Sequence, residues 1–376
     1  MRTSSLTELE LPALRPEVLN LSDGHARQSV GAGTRARLRD VVDAALSDPP
    51  ADYFGAERRF LHDLSWHTGQ GYPAGRTFVT YASSVAMGVV STHLKRSRHR
   101  VGLICPAFDN LAGILTSLDV PLTPVPEHRL APEPDLEHLD SLGIDALVLV
   151  LPNNPTGACP SRAAMCRLLD WAAARGVLLV VDLAFRWFDD AARWDLRAEA
   201  EARGADLVSI DDTGKVLSLS DLKAGVVSTT GRLAEPIGAI HRQYVLNVSE
   251  LGLRMLGAML APGDPDGEVP RARRLVRQNR AYLDEVLTAD LGGPGDDPRL
   301  PERRPGMSVE WLRVPRNRDL VTKECHRRGV AILAGDHFHW ASDVPAETHV
   351  RLALLRDAPY FARAADVVAD VLARLA

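Results

Sequence analysis

This sequence has few cysteines, no strong charge of either sign and no long apolar run. Its 376 residues include four cysteines, which form no CxxC pair and no cluster with histidine at metal-ligand spacing. The pattern therefore predicts reduced thiols, with neither a disulfide nor a metal site. The net charge of −5 gives no reason to expect a nucleic acid or an anionic membrane as a partner.

The sequence also lacks a segment that would direct it to a membrane. Its N-terminus contains no apolar core of signal-peptide length, and no later segment is apolar for long enough to span a bilayer. We therefore expect a cytoplasmic protein. The composition, with 45% hydrophobic and 25% charged residues, is typical of a globular protein, and the length allows two domains.

Short apolar runs alternate with segments of helical periodicity through much of the chain. Strands are predicted at residues 78–84, 100–105, 145–151, 177–182 and 206–210. Helical patterns are predicted at residues 34–68, 161–175 and 250–290, and later strands at residues 307–313, 330–334 and 349–353. This alternation favours an α/β fold with a mostly parallel sheet.

Three polar side chains follow three of the predicted strands. Asn154 comes after one strand, Asp182 closes the next, and Lys215 lies in a glycine turn after a third. A lysine in such a turn is most often a solvated loop residue. Ligands of open α/β sheets, however, bind at the carboxyl ends of strands, so the three residues together predict one site.

The order Asn154, Asp182, Lys215 resembles that of the fold-type I pyridoxal-phosphate (PLP) enzymes, the aspartate aminotransferase superfamily. The resemblance implies a mostly parallel seven-stranded sheet in a large domain and a smaller α+β C-terminal domain. It also implies that Lys215 binds PLP through its amine and that Asn154 hydrogen-bonds the ring hydroxyl. Asp182 would pair with the pyridinium nitrogen and keep it protonated, so that the ring accepts electrons.

The same resemblance implies four further cofactor contacts. Ser83 and Ser84 would bind the phosphate at a helix N-terminus, although serines there are often plain helix caps. Phe108 would stack on the pyridine ring; an aromatic residue after a strand is otherwise a core residue. Lys223, which precedes Ala224 and Gly225, would bind the phosphate, and its alternative is a surface lysine.

The resemblance further divides the chain into three parts. Residues 1–30 would form an arm that closes over the active site as a lid, residues 31–255 the large PLP-binding domain and residues 256–376 the small domain. Arg351 lies in a predicted strand of the last part, where an inward arginine needs an anion and an outward one is solvated. The family binds the substrate α-carboxylate with an arginine of the matching strand. A homodimer is expected on the same grounds.

Five short motifs resemble those of a narrower group, the oxygen- and PLP-dependent arginine hydroxylase and oxidase enzymes of bacterial natural-product pathways. The motifs are LSDGHARQ at 21–28, GQGYP at 69–73, TYASSVAM at 80–87, AFDN at 107–110, and DDTGK with DLKAG within 211–225. The resemblance implies that L-arginine and molecular oxygen are the substrates. The products would be 4-hydroxy-2-oxoarginine together with 2-oxoarginine, ammonia and hydrogen peroxide.

In this narrower group the arm would contribute to substrate binding. By position, Thr7, Glu10 and Asp23 would meet the guanidinium, a cation that needs carboxylates or hydroxyls in its plane. Asp212 would join them or simply cap the lysine turn, and Asn154 would also contact the substrate. His25 would act as a base or position the water that adds at C4, and its alternative is a titrating surface histidine.

Two other functions fit part of this pattern. A conventional PLP-dependent aminotransferase for a cationic amino acid would share Lys215, Asp182, Asn154 and Arg351. It would need a 2-oxo acid as co-substrate and would consume no oxygen. A non-enzymatic PLP-binding regulator usually adds a basic DNA-binding domain, for which we expect no room before residue 30.

Overall fold

The structure is a computed structural model, and it describes residues 13, 15–47, 52–219, 222–291, 306–314, 318–341 and 349–375. The strands of these ranges are β1 Leu19–Asn20, β2 Thr77–Thr80, β3 Val101–Cys105, β4 Leu122–Pro126, β5 Ala146–Val150, β6 Leu178–Asp182, β7 Leu207–Asp212, β8 Gly225–Thr229, β9 Val309–Arg313, β10 Val330–Ala331, β11 Leu333–Ala334 and β12 His349–Ala353. The α-helices are α1 Ala32–Ser47, α2 Tyr53–Thr68, α3 Ser83–Arg96, α4 Asp109–Ser117, α5 Leu136–Ser141, α6 Arg162–Arg175, α7 Leu196–Ala202, α8 Ala234–Tyr244, α9 Glu250–Met259, α10 Glu268–Leu291, α11 Arg318–Arg327 and α12 Ala358–Leu375.

The main sheet has seven strands in the order β2-β8-β7-β6-β5-β3-β4. From β7 to β4 along this order the neighbours pair in parallel, whereas β8 runs antiparallel to both β2 and β7. The strands β3, β5 and β6 are buried along their whole length. Continuous apolar strands are typical of parallel sheets covered on both faces. The mostly parallel seven-stranded sheet predicted from the sequence is confirmed.

Helix α6 shows how local sequence produces one of the parallel crossovers. Ser161 caps its N-terminus, because the serine Oγ accepts the amide of Ala164 at 3.1 Å. Gly176 ends the helix in the left-handed conformation, with φ of 67°. The helix buries Leu168 and Leu169 in the core of the main sheet. It thereby returns the chain from β5 to a parallel β6.

A smaller sheet lies in the C-terminal part and is joined by the N-terminal segment. The strands β11, β12 and β9 are antiparallel neighbours in that order, and β1 pairs in parallel with β10. The amide of Leu21 donates to the carbonyl of Ala331 at 2.8 Å, and the amide of Ala353 donates to the carbonyl of Leu21 at 2.8 Å. Residues 19–21 of the predicted arm are therefore hydrogen-bonded to the C-terminal strands.

Three predicted elements are divided in the structure. The helical pattern predicted at residues 34–68 is two helices, α1 and α2. The strand predicted at residues 330–334 is two short strands, because β10 pairs with β1 whereas β11 pairs with β12. The helical region predicted at residues 250–290 is two helices, α9 and α10, and the chain between them turns at Gly263 with φ of 74°. The pattern of apolar residues does not distinguish one long element from two shorter ones in these places.

The apolar interior has two large clusters, one around the main sheet and one that joins α1 and α2 to α9, α10 and α12. Helix α9, which contains residue 255, packs against both α1 and α2. The predicted domain boundary at that residue thus falls inside a helix, and the three-part division stays a prediction. No helix in the ranges described is long and apolar enough to cross a bilayer.

Candidate active site

The carboxyl ends of β5, β6 and β7 meet at one edge of the main sheet, because these strands are parallel neighbours. One cavity at this edge is lined by six of the side chains predicted to bind the cofactor: Ser83, Ser84, Phe108, Asn154, Asp182 and Lys215. The structure therefore brings together residues from five separate segments. Among the residues it describes, no group of three or more histidine, cysteine, aspartate or glutamate side chains is arranged to hold a metal ion.

The loop that carries Asn154 is fastened to the end of β3. Asn153 Nδ2 donates to the carbonyl of Pro106 at 2.8 Å and to Glu127 Oε1 at 2.6 Å. The hydroxyl of Thr156 donates to the same Glu127 oxygen. Asn154 itself is buried at the cavity wall. The neighbouring side chains thus hold the loop and place Asn154 at the cavity wall.

Asp182 is a buried carboxylate at the end of β6. One of its oxygens accepts the amide of Ala184 at 2.9 Å. Burial raises the pKa of Asp182 to about 7, the Ala184 hydrogen bond opposes this, Asp212 raises the pKa further and Lys215 lowers it. A cation placed beside Asp182 would favour the ionised form.

Asp212 links the lysine turn to the start of α3. Its carboxylate accepts the amide of Gly214 at 2.6 Å and the amide of Ser83 at 3.0 Å. Its backbone carbonyl accepts the indole N–H of Trp187 at 3.0 Å. Of the two roles open in the sequence, the structure contains the turn cap and adds the bond to Ser83. A contact between Asp212 and a substrate stays a prediction.

The start of α3 is packed closely against β8. Ser83 and Ser84 are the first two residues of this helix, and the preceding Ala82 makes no side-chain capping bond. A Cβ on Gly225 would lie 2.5 Å from the carbonyl carbon of Ala82 and 2.7 Å from the amide nitrogen of Ser83. These backbone atoms leave room only for glycine at position 225. The packing fixes the backbone at the start of α3, from which both serine side chains extend.

Of the two other predicted cofactor residues, Phe108 lies in the cavity lining and Lys223 does not. Phe108 lines the cavity and also packs against Leu333 and Phe338, so it is a cavity wall and a core residue at once. Lys223 lies beside the lysine turn, where its Cδ is 3.0 Å from the position that a Cβ on Gly214 would occupy. The lysine thus contacts the turn from outside the cavity lining.

Phe185 belongs to the site and was not predicted from the sequence. Its ring lines the cavity, and the centroid lies 5.6 Å from Nζ of Lys215, within the range of a cation–π contact. The residue follows Asp182 by three positions, and this closeness to a predicted site residue was a sequence signal for it. An aromatic residue just after a strand is more often a core residue, and nothing in the sequence separates the two cases.

Arg351 faces inward from β12 and is 1% exposed. Its Nη1 donates to Oδ1 of Asn154 at 3.3 Å, and its Nη2 donates to the carbonyl of Ser22. The guanidinium carbon lies 5.0 Å from the ring centroid of Phe338. The guanidinium therefore lies between the Asn154 loop and the N-terminal segment, next to the cavity.

The N-terminal segment lies on the lysine turn. The amide of Ala26 donates to the carbonyl of Gly214 at 3.2 Å, and Gln28 Nε2 donates to the carbonyl of Val216 at 3.0 Å. This contact brings His25 near Lys215. The charge of Lys215 and then burial lower the pKa of His25, while the hydrogen bond with Asp23 raises it.

Asp23 is buried, and its carboxylate is engaged within the segment. Its Oδ1 accepts the amide of His25 at 2.7 Å and lies 3.1 Å from Nδ1 of the same residue, while Oδ2 accepts Nε–H of Arg27. Burial would raise the pKa of Asp23, but the His25 hydrogen bond and the charge of Arg356 hold it well below its usual range. Thr7 and Glu10, the other predicted guanidinium ligands, lie outside the described residues.

A buried polar network supports the strand that leads to Lys215. Asp211 in β7 accepts the hydroxyl of Tyr72 at 2.9 Å and lies 3.3 Å from Nη1 of Arg186. Gln70 Oε1 accepts a hydrogen bond from Arg186 at 3.3 Å. The GQGYP motif thus supplies two members of this network. These bonds connect the loop at residues 69–73 to β7, and removing one partner of such a buried charge pair is strongly destabilising.

Comparisons with known proteins find relatives across most of the chain. The model of the family Aminotransferase class I and II matches residues 99–367. Capreomycidine synthase of Streptomyces vinaceus is 33% identical over 277 residues, which cover 71% of this chain and 68% of that protein. The solved structure of MppP soaked with the product 2-ketoarginine is 30% identical, with a TM-score of 0.84 over 94% of this chain and 99% of that chain.

Structures of more distant proteins share the fold. The N-succinyldiaminopimelate aminotransferase of Mycobacterium tuberculosis is 18% identical, with a TM-score of 0.78 over 98% of this chain and 97% of that chain. LysN, an α-aminoadipate aminotransferase of Thermus thermophilus solved with a phosphopyridoxyl-leucine, is 20% identical, with a TM-score of 0.77 over 99% of this chain and 95% of that chain. At these identities the likeness concerns the fold alone.

Proposed function

Because the chain belongs to the aminotransferase class I and II family and is a PLP-dependent enzyme of fold-type I, we propose that it oxidises and hydroxylates L-arginine with molecular oxygen. The predicted fold class and cofactor are confirmed by this membership. The proposed products are 4-hydroxy-2-oxoarginine and 2-oxoarginine, with ammonia and hydrogen peroxide. The similarity to capreomycidine synthase supports a place in natural-product biosynthesis.

The cavity fits PLP. Ser83 and Ser84 offer hydroxyls at a helix N-terminus, a setting that suits a phosphate dianion. A protonated ring nitrogen would supply the cation that the buried Asp182 carboxylate needs in order to ionise. Phe108 offers a flat apolar face, and Lys215 offers the amine. The phosphate, the ring nitrogen, the ring face and the aldehyde of the cofactor therefore each have a complementary side chain on the cavity wall.

When bound, PLP supplies an electron sink, which lets a proton leave the substrate Cα and lets electrons pass to oxygen. Lys215 accepts that proton, since its amine lies on the cavity wall beside Asp182. Arg351 binds the α-carboxylate, because a buried guanidinium suits a planar anion with two oxygens. Asn154 accepts a hydrogen bond from Arg351 and keeps that guanidinium in place.

His25 positions the water that adds at C4. Its lowered pKa favours a neutral imidazole, which can accept a proton from water. Formation of 4-hydroxy-2-oxoarginine removes four electrons from arginine, which reduce two molecules of oxygen to hydrogen peroxide. One water supplies the C4 hydroxyl, and a second supplies the 2-oxo group as ammonia leaves. Formation of 2-oxoarginine removes two electrons and reduces one molecule of oxygen.

One observation carries this proposal. The N-terminal segment packs His25 over the lysine turn, through the 3.2 Å bond between Ala26 and Gly214, in a chain that superposes on MppP along 94% of its length. MppP was solved with its product 2-ketoarginine, which is arginine with an oxo group in place of the amino group. The same compound is the simpler of the two oxo acids that we propose here.

Oxygen uptake tests the proposal directly. The PLP-loaded protein, given arginine and no 2-oxo acid, should consume oxygen and release ammonia and hydrogen peroxide. Mass spectrometry should find both oxo acids, and oxygen-18 from labelled water should enter the C4 hydroxyl. Lys215→Ala should abolish turnover and borohydride-trapped PLP, whereas Lys223→Ala should retain the trapped cofactor at Lys215.

Three outcomes would contradict parts of the proposal. Turnover that requires a 2-oxo acid and leaves oxygen untouched would identify a conventional aminotransferase for a cationic amino acid. Oxygen-18 that enters C4 from molecular oxygen, instead of water, would remove the water-positioning role from His25. A borohydride-trapped adduct at a lysine other than Lys215 would exclude its assignment as the cofactor lysine.

A further inference from the structure

Arg356 holds the loop that carries His25. The arginine follows β12, is buried, and donates to the backbone carbonyls of Asn20 at 2.8 Å, Asp23 at 2.7 Å and His25 at 2.9 Å. A buried guanidinium is costly unless its N–H groups are paired. Here three of the acceptors belong to one loop, residues 20–28. The loop and the arginine therefore stabilise each other only in this conformation.

The backbone around Arg356 is itself fixed. Asn279 in α10 donates through Nδ2 to the carbonyl of Leu354 at 2.7 Å and to the carbonyl of Arg356 at 2.8 Å. The amide of Arg27 donates to the carbonyl of Leu355 at 3.3 Å. The loop of residues 20–28 is thus bonded to a segment that is itself bonded to α10.

Both carboxylate oxygens of Asp23 are used inside the same loop. One accepts the main-chain N–H of His25 and faces the imidazole Nδ1, and the other accepts Nε–H of Arg27. The Asp23 side chain is also only 2% exposed, so a substrate guanidinium could reach its oxygens only if the loop moved. The structure therefore gives Asp23 a role within the protein, in place of the substrate contact that its position in the sequence predicted.

The Asp23 contact has a consequence for the imidazole. When Nδ1 of a histidine is bonded to a carboxylate, the ring orientation is set and Nε2 remains for water or substrate. The charged side chains near His25 include Asp23, Arg27 and Arg356, which bond to its own loop, and Lys215 and Lys223 at the lysine turn. The contact between Ala26 and Gly214 fixes the loop at the Lys215 turn.

We propose that Arg356 and Asp23 are positioning residues that hold His25 beside Lys215, and that Asp23 orients the imidazole instead of binding the substrate guanidinium. The inference deepens the proposed function, because it rests on the water-positioning role of His25. Arg356 fixes the main chain of the loop, and Asp23 fixes the ring. Neither residue has to contact the substrate or the cofactor.

The first test measures the ratio of 4-hydroxy-2-oxoarginine to 2-oxoarginine. Asp23→Asn and Arg356→Gln should shift the products towards 2-oxoarginine, as His25→Ala should, while the KM for arginine changes little. In the His25→Ala background, Asp23→Asn should cause no further shift. Arg27→Gln is the matched control: Arg27 also bonds to Asp23, but from the partly exposed side and without holding the loop carbonyls. That variant should keep the wild-type product ratio.

The second test does not depend on activity. Hydrogen–deuterium exchange of residues 20–28 in the cofactor-free protein should accelerate in Arg356→Gln and stay unchanged in Arg27→Gln. The pKa of His25, followed by NMR of its ring protons, should fall in Asp23→Asn, because the Asp23 carboxylate raises it. Assignment of that signal comes from its loss in His25→Ala.

The outcomes separate this inference from the proposed function. A KM that rises about 30-fold or more in Asp23→Asn at an unchanged product ratio would mean that Asp23 binds the guanidinium, and would overturn the inference while oxygen chemistry stands. If wild type consumes no oxygen with arginine, the function fails, and the exchange and NMR measurements still decide how His25 is held. Should Arg356→Gln not fold, the isosteric Asp23→Asn decides through the His25 pKa.

Discussion

Among single residues, Asp182 makes the free energy of unfolding depend on pH. In the cofactor-free protein its pKa is raised from 3.8 to about 7, mainly by burial. Between these values the folded protein keeps the proton while the unfolded chain has lost it, so the free energy of unfolding falls as pH rises through the window. Below about 4 and above about 7 this contribution is constant. The full difference is at most about 4 kcal/mol.

The prediction concerns Asp182→Asn, which removes the titrating group at nearly constant shape. The stability gain of this variant over wild type should grow as pH rises from about 5 to about 7 and then level off. Urea unfolding of both cofactor-free proteins over this range measures it. Asp43→Asn, an exposed aspartate in α1, is the control and should give no such trend. A difference between Asp182→Asn and wild type that does not vary with pH would contradict the raised pKa.

The sequence could identify Asn154, Asp182 and Lys215, because each follows an apolar strand, and parallel strands end at one edge of the sheet. It could not identify Arg356 or Phe185 in the same way. The partners of Arg356 are backbone carbonyls of residues 20–25, which lie more than three hundred positions away in the chain. Contacts between main-chain oxygens and a distant arginine leave no pattern in local sequence.

At the level of elements, the packing of β8 against the start of α3 sets the phosphate end of the proposed site. A side chain at position 225 would collide with backbone atoms of Ala82 and Ser83, which cannot rotate out of the way. Gly225→Ala must therefore separate the strand from the helix. Overpacking of this kind costs typically about 1–3 kcal/mol. It should also move Ser83 from the place where we propose that it binds the phosphate.

We expect Gly225→Ala to lower the melting temperature and to weaken PLP binding. Fluorescence titration of the cofactor-free protein with PLP measures the second effect. Gly88→Ala is the matched control, because Gly88 lies in the same helix α3 and a Cβ there meets no atom within 4 Å. That variant should bind PLP as wild type does. Wild-type affinity in Gly225→Ala would mean that the first turn of α3 does not hold the phosphate.

The main sheet could be predicted from sequence, whereas the way the N-terminal segment joins the smaller sheet could not. Apolar runs between residues 100 and 210 are long enough to mark their strands, and helix caps such as Ser161 mark the crossovers. The strands β1, β10 and β11 have two residues each. Elements this short are defined by their pairing partners, and the pairing of residues 19 and 330 is not a local property.

On the scale of the whole molecule, large exposed side chains lie just after β2 and along the stretch from the end of α8 to the start of α9. Tyr81, Tyr244, Leu246 and Leu251 are large exposed side chains, and Leu246 is 95% exposed. The hydroxyl of Tyr81 donates to the carbonyl of Asn247 at 3.2 Å, which joins the end of β2 to the segment between α8 and α9. Large exposed apolar side chains that form one patch mark a surface that another protein covers. The expected homodimer provides such a partner, in a second copy of this chain.

We predict that the protein is a homodimer and that Leu246 lies in its interface. Light scattering should give twice the mass of one chain for wild type and a lower mass for Leu246→Glu, because a buried unpaired carboxylate is strongly unfavourable. Leu320→Glu, which changes an exposed leucine of α11, should leave the mass unchanged. Since Tyr81 lies two residues before Ser83, the monomeric variant should also bind PLP more weakly. A monomeric wild type, or a Leu246→Glu variant that remains a dimer, would show that this surface does not form the interface.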